Sequence, residues 1–141
     1  MKKIILGILA AVCLTGCTSK KATVEAMSPM EAAGMQRNGF ATVVDVREED
    51  EVRYSGMVPG AKWIPTSRIQ ADAPEWRALL ASANKEQKLV FYCAGGGRAQ
   101  DAAEKAVAAG IPSANMGGFT AWKNAGLPVS KELPGAAPTQ K

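Results

Sequence analysis

The stretch from Lys88 to about Ala109 constrains the fold more than any other. Lys88-Leu89-Val90-Phe91-Tyr92 is an apolar run of strand length with no polar alternation, which suits a strand buried on both faces. It passes straight into Cys93-Ala94-Gly95-Gly96-Gly97-Arg98. An alanine-rich helix follows from about Ala99 to Ala109, with Gly110 as its stop and Pro112 just beyond. A covered strand feeding directly into a helix belongs to a parallel sheet with helices on either side.

The rest of the chain repeats the alternation. Thr23 to Met27 is a short first strand. Ser28-Pro29-Met30-Glu31 has capping-box spacing with proline at the first helical position, and Asn38-Gly39 closes that helix. Phe40 to Val44 is a second buried strand. Glu48 to Tyr54 is a charged surface helix ended by Gly56, and Ala61 to Ile64 is a strand after the Val58-Pro59-Gly60 turn. Asp72-Ala73-Pro74-Glu75 repeats the capping-box pattern and starts a helix to about Ala83. Ser113 to Met116 is the last strand, and Gly118 to Ala125 the last helix before Leu127-Pro128-Val129. The predicted class is α/β, three layers deep, with a parallel sheet flanked by helices on both faces.

Composition narrows the function. The chain has 141 residues, 47% hydrophobic and 21% charged, which suits one globular domain. A domain of this size buries roughly two-thirds of its unfolded surface, so it needs neither disulfides nor a metal to fold. The net charge of +4 includes Lys2 and Lys3 of a removable leader; the other 15 basic residues face 13 acidic ones, and that balance gives no case for nucleic acid. There is no histidine, which excludes Ser-His-Asp and Cys-His machinery and histidine sites for zinc or haem. No metal site and no cofactor are expected.

The N-terminus reads as an address. Met1-Lys2-Lys3 is a short positive start, and the apolar run Ile4 to Leu14 has signal-peptide length. It ends in Leu14-Thr15-Gly16-Cys17, which resembles the bacterial lipobox, where the cysteine takes a diacylglycerol and the chain is cut before it. Lipidation at Cys17 would anchor the chain to a membrane face without spanning it. Thr18 stands where an Asp would resemble an inner-membrane retention signal. The expected location is therefore the bacterial envelope, on the periplasmic face of the outer membrane if the source is Gram-negative. The expected organisation is a leader over residues 1–16, a lipidated tether over 17–22, a folded domain over 23–130 and a flexible tail over 131–141.

With Cys13 removed and Cys17 lipidated, Cys93 is the one free thiol of the mature chain. It lies at the C-terminal end of the most central strand, where open α/β sheets place their ligands. Small residues between strand and helix let several backbone N–H groups turn inward, and the helix N-terminus adds partial positive charge. The arrangement favours an anion, including a thiolate, without a histidine base.

Cys93-x-x-Gly96-x-Arg98 resembles the active-site loop of the rhodanese family of sulfurtransferases. Three further blocks agree in order: Val44-Asp45-Val46-Arg47, Gly56-Met57-Val58-Pro59-Gly60-Ala61, and Gly117-Gly118-Phe119-Thr120-Ala121-Trp122 with Gly126-Leu127-Pro128-Val129. The likeness covers roughly Thr23 to Ser130. Met57 departs from it, since the family usually has histidine there, and that position reads as structural. The resemblance implies a two-step transfer. The Cys93 thiolate takes a sulfane sulfur from a small anionic donor such as thiosulfate, expelling sulfite and leaving a persulfide. Cyanide or a thiol, or a protein acceptor, then removes the outer sulfur. The amides of Ala94, Gly95, Gly96, Gly97 and Arg98 would cradle the persulfide, Arg98 would face the donor, and the rate law would be ping-pong.

Other readings compete. Cys93 as an inert buried thiol, and Arg98 as a partner for surface carboxylates, are the structural alternatives. Asp45 and Arg47 are expected as an ion pair or brace near the pocket, Trp63 and Trp122 as core or pocket-wall aromatics. A cysteine phosphatase also uses a thiolate, amides and an arginine, but its loop has five residues between Cys and Arg, and here there are four. A dinucleotide fingerprint at Gly95-x-Gly97 fails at Gln100 and lacks an acidic residue about twenty positions on. A membrane-tethered sulfur carrier, sensor or interaction module without turnover is the non-enzymatic alternative.

Overall fold

Parallel pairing dominates the computed structural model, which describes residues 23–134. Its strands are β1 (Glu25–Ala26), β2 (Ala41–Asp45), β3 (Lys62–Trp63), β4 (Lys88–Cys93) and β5 (Ser113–Gly118). They form one sheet in the order β1-β5-β4-β2-β3, every pair parallel. The helices are α1 (Pro29–Arg37), α2 (Glu49–Ser55), α3 (Thr66–Gln70), α4 (Pro74–Ser82), α5 (Gly97–Ala108) and α6 (Phe119–Asn124). The apolar run at 88–92 is thus the central strand, as its lack of alternation requires.

Side chains leave β4 alternately for two cores. Val90 and Tyr92 enter one with Ala32 and Ala33 of α1, Val52 of α2, and Phe119 and Trp122 of α6. Leu89, Phe91 and Cys93 enter the other with Ile69 of α3, Trp76 and Leu79 of α4, and the alanine face of α5. Cys93 therefore lies on the α5 side of the sheet.

Capping chemistry sets several boundaries. Ser28 Oγ accepts the Glu31 N–H, as the capping-box spacing predicts. At the far end of α1, Gly39 at φ +76° closes a Schellman turn: its N–H donates to Gln36 and that of Phe40 to Met35. That turn consumes Phe40, which is exposed, so β2 starts at Ala41 and not at Phe40. The second capping-box expectation is corrected. Asp72 does not cap α4; it sits at φ +48° and pairs with Arg77, and Ala73 is the N-cap. Pro74 requires an extended residue before it, and in Asp72-Ala73-Pro74 that residue is Ala73. The five-residue α3 was absent from the sequence reading. It starts where Thr66 Oγ1 and N–H both donate to the Val46 carbonyl, a contact between distant segments.

One buried polar cluster ties the C-terminal ends of the strands together. Asp45 and Tyr92 are register partners on β2 and β4. Arg47 folds back so that Nε and Nη2 donate to Asp45 Oδ1 and Oδ2 at 2.9 and 2.5 Å. Nη1 donates to Ser55 Oγ and Nη2 also to the Gly56 carbonyl at the end of α2, each at 2.7 Å. Tyr92 OH donates to Asp45 Oδ2 (2.5 Å) and accepts the Val58 N–H (3.0 Å). Burial opposes the Arg47 charge, but the bonded Asp45 carboxylate more than offsets it and keeps the guanidinium protonated. Burial also pushes the Tyr92 hydroxyl far above its usual range, reinforced by the Asp45 charge, so it stays a proton donor.

Residues 131–134 of the expected tail lie against the domain. Ser130 pairs with Met57, Lys131 Nζ donates to the Tyr54 carbonyl, and Leu133 packs on the core. Met57 is itself buried. Residues 1–22, with the expected leader and tether, and 135–141 lie outside the described residues.

Removing one member of the cluster strands its partners. Asp45→Ala leaves the buried Arg47 charge unpaired and is expected to cost about 3–5 kcal/mol in urea unfolding. Tyr92→Phe, which orphans the Val58 N–H, is expected to cost about 1–3 kcal/mol. Losses below about 0.5 kcal/mol for both, the range of ordinary surface substitutions, would show that the cluster does not carry the fold.

Candidate functional site

The site forms where β4 stops and α5 starts. Cys93 is only 2% exposed, on a strand end with neighbours on both sides. The chain then turns through Ala94, Gly95 and Gly96, and the Gly96 N–H donates to Cys93 Sγ at 2.9 Å. Ala94, Gly95 and Gly97 are exposed around this buried sulfur. The sulfur thus lies at the bottom of a backbone cup at a helix N-terminus, a place that stabilises negative charge.

The cup is shaped by its contact with the end of β5. Gly96 adopts φ +102°, and a Cβ there would meet Gly117 Cα at 3.2 Å. A Cβ on Gly118 would fall 2.3 Å from the Ala94 carbonyl oxygen. Two glycine backbones therefore let the loop and strand approach more closely than any side chain allows. Asn115 locks the contact: its Nδ2 donates to the Gly96 carbonyl and to Gln100 Oε1, each at 3.1 Å. Its Oδ1 accepts the Gly117 N–H at 2.8 Å. The β4–β5 register shifts here, since Phe91 faces Asn115 while Tyr92 faces Gly117. Met116 is the extra residue of that bulge.

Arg98 points from the first turn of α5 to Glu51 on α2, with Nη1 and Nη2 each 2.7 Å from a different carboxylate oxygen. Glu51 Oε2 also accepts the Glu48 N–H that opens α2. The Arg98 hydrogen bonds hold the Glu51 carboxyl down to about 2, so it is ionised at any physiological pH. The same bonds raise Arg98, and the neighbouring Cys93 adds to that effect. Beside Arg98, a groove of about 530 Å³ opens between α3 and α5, lined by Thr66, Ile69, Gln70, Asp101 and Lys105. Among the described residues no three His, Cys, Asp or Glu side chains come together as metal ligands.

The fold brings the six loop residues, Cys93 to Arg98, into one cup, while Asp45 and Arg47 lie on the opposite face as the buried cluster. That cluster braces the β2 and β4 ends from behind, and Trp63 Nε1 donates to the Arg47 carbonyl. Trp122 is buried and donates to the Pro128 carbonyl. Sequence reasoning missed Glu51 and Asn115. Glu51 is masked by its place in an ordinary acidic first turn. Asn115 had a usable signal, an amide inside a strand where asparagine is disfavoured.

The family model for the rhodanese-like domain matches residues 28–125. The chain belongs to the rhodanese-like domain family. A second family model, the prokaryotic membrane lipoprotein lipid attachment site, matches residues 1–18, which marks a lipid-anchored protein of the bacterial envelope. Among solved structures, a rhodanese-like domain protein from Staphylococcus aureus is 30% identical with a TM-score of 0.59, the match covering 76% of this chain and 99% of that one. A Rhodopseudomonas palustris protein of unknown function, described as a possible tyrosine phosphatase, is also 30% identical, with a TM-score of 0.64 over 76% of this chain and 85% of that one. A thiosulfate sulfurtransferase from Pseudomonas aeruginosa shares the fold at 21% identity and a TM-score of 0.61, over 79% of this chain and 20% of that one. No curated protein matches the chain.

The glycines of this rhodanese-like loop differ in what they tolerate. Gly96→Ala forces a left-handed alanine into Gly117 and is expected to cost about 1–3 kcal/mol. Gly97→Ala meets no protein atom within 4 Å and has no positive φ, so its melting temperature should match the native one. Equal stability of the two variants would refute the close approach to Gly117.

Proposed function

We propose that this rhodanese-like domain is a sulfurtransferase in which Cys93 carries the sulfur. The observation that carries the reading is the Gly96 N–H directed at Cys93 Sγ, at 2.9 Å, from a loop that opens a helix. Backbone amides need no reorganisation as charge moves from thiolate to persulfide, which is electrostatic preorganisation. In the first step the Cys93 thiolate attacks the outer sulfur of a donor such as thiosulfate. The Cys93–S bond forms, the donor S–S bond breaks, and sulfite leaves with the electron pair. In the second step cyanide or a thiol attacks the outer sulfur and restores the thiolate. The amides of Ala94, Gly95, Gly96, Gly97 and Arg98 serve as the cradle, and Asp45 with Arg47 as its brace.

The phosphatase reading draws support from the description of the Rhodopseudomonas palustris protein alone. Here the four-residue spacing and a cysteine only 2% exposed suit a single sulfur atom better than a phosphoryl group. A carrier or sensor without turnover would use the same persulfide and differ only in its acceptor. For localisation, we place the lipid on Cys17 and, in a Gram-negative source, the domain on the periplasmic face of the outer membrane, on the strength of Thr18.

Intact-mass analysis of residues 18–141 should show a gain of one sulfur atom after thiosulfate, removed by cyanide as thiocyanate. Cys93→Ser should gain none while melting as the native protein does; sulfur transfer by that variant would exclude Cys93 as the carrier. In the full-length chain, Cys17→Ser should lose the diacylglycerol mass from the intact protein and keep the leader uncut, and a lipid mass retained by that variant would refute lipidation there.

A further inference from the structure

Parallel pairing gives the sheet two unlike ends. Cys93 closes β4 at one of them, and the strands begin at the other. The described chain starts at that second end. Glu25 faces Ala114 and Ala114 faces Val90, so Glu25 lies level with Val90. Thr23 precedes it by two residues and falls near the level of Lys88, whose Nζ pairs with the Glu25 carboxylate. From Lys88 to Cys93 the strand rises about 16 Å, and the cup lies beyond that. Cys17 stands six residues before Thr23, and a chain of that length reaches at most about 21 Å. With the cup turned to a bilayer that holds Cys17, the whole reach would be used on the height of the sheet and cup. With the strand starts turned to it, only a fraction is needed.

The surface at the strand starts suits a bilayer. Three turns meet there: the Lys88 N–H donates to the Phe40 carbonyl, Gln87 Nε2 to the Gly39 carbonyl, and the Leu89 N–H to the Pro112 carbonyl. Among these turns Phe40 is 61% exposed. Arg37 and Lys85 are exposed beside it and have no acidic partner among the described residues. Glu86 is the opposing charge, since Lys88 and Glu25 neutralise each other, and Lys20 and Lys21 follow Cys17 in the sequence. We propose that this end is a membrane-docking surface, which seats Phe40 at the headgroup level and sets Arg37, Lys85, Lys20 and Lys21 against anionic phospholipid. The proposal rests on the lipidation of Cys17 stated above. The lipid keeps the surface within reach of the headgroups, so contacts too weak to bind a free domain still fix its orientation. Cys93 then faces the aqueous side, a strand length from the bilayer, where water-borne sulfur donors and acceptors reach it.

Fluorescence quenching in proteoliposomes measures that orientation. The full-length chain, matured from its own leader, carries Cys93→Ser and one introduced cysteine for the label. The two label sites are Asn38→Cys, beside Phe40, and Glu49→Cys, at the start of α2 on the cup side. Intact mass first reads the diacylglycerol; its absence would defeat the lipidation reading and the docking surface together, while its presence leaves the quenching to judge docking alone. In vesicles of phosphatidylethanolamine and phosphatidylglycerol, a lipid with a headgroup nitroxide should quench the label at residue 38 at least about threefold more than the label at 49, and aqueous acrylamide the reverse. Replacing phosphatidylglycerol by phosphatidylcholine should shrink the difference, as should added salt. The surface substitutions Phe40→Ser, Arg37→Gln and Lys85→Gln, made together, should shrink it as well without changing the melting temperature. Equal quenching at the two positions, or stronger lipid quenching at 49, overturns the proposal. A difference that survives the lipid exchange or the three substitutions overturns it too, because the link to Cys17 alone would then orient the domain. Should the triple variant unfold, the lipid exchange decides by itself.

Discussion

The buried contact of Asp45 with Arg47 and Tyr92 is the interaction on which the rest of the structure depends. It joins β2 to β4 at their C-terminal ends, holds the end of α2 through Ser55 and Gly56, and fixes Val58 in the following turn. The end of β4 runs directly into the cup. A buried ion pair of this kind contributes little net stability compared with apolar packing, because both charges must leave water. Its value is positional. Both Asp45 oxygens accept directed hydrogen bonds, from Arg47 and Tyr92, and these fix the arrangement of the strand ends.

The cup itself depends on backbone and not on side chains. Gly96, Gly117 and Gly118 allow the loop and the end of β5 to touch, and Asn115 fastens that touch with three hydrogen bonds. The bulge at Met116 makes this possible by turning Asn115 and Gly117 out of simple register. The result is a buried sulfur atom that accepts the Gly96 N–H. A side chain on Gly96 or Gly118 would run into the facing backbone.

Charge around the cup follows a different logic from the one an isolated motif conveys. Arg98 in the loop invites an anion, yet α2 answers it with Glu51 before any ligand arrives. The same α2 is anchored by the Arg47 cluster at its other end. One seven-residue helix thus pairs with Arg98 near its start and with Arg47 at its end.

The α/β class, the central strand and the strand–cup–helix unit around Cys93 were legible in the sequence, because local periodicity, capping and glycine placement act within a few residues; the family was legible from the resemblance carried by its four motif blocks in order. Boundaries slipped where a local signal met a competing one, as at Phe40, taken by a Schellman turn, and at Asp72, displaced by the demand of Pro74. The short α3 was invisible, since it starts on a hydrogen bond to Val46, twenty residues away. The same holds for the two residues that complete the site. Glu51 and Asn115 lie 47 and 19 residues from their partners Arg98 and Gly96, and no local pattern links them. Sequence by itself determined the central strand, the glycine loop after it and the cysteine and arginine that the loop carries. Only the tertiary structure decided their surroundings, because long-range register and helix packing set which charge each of them faces.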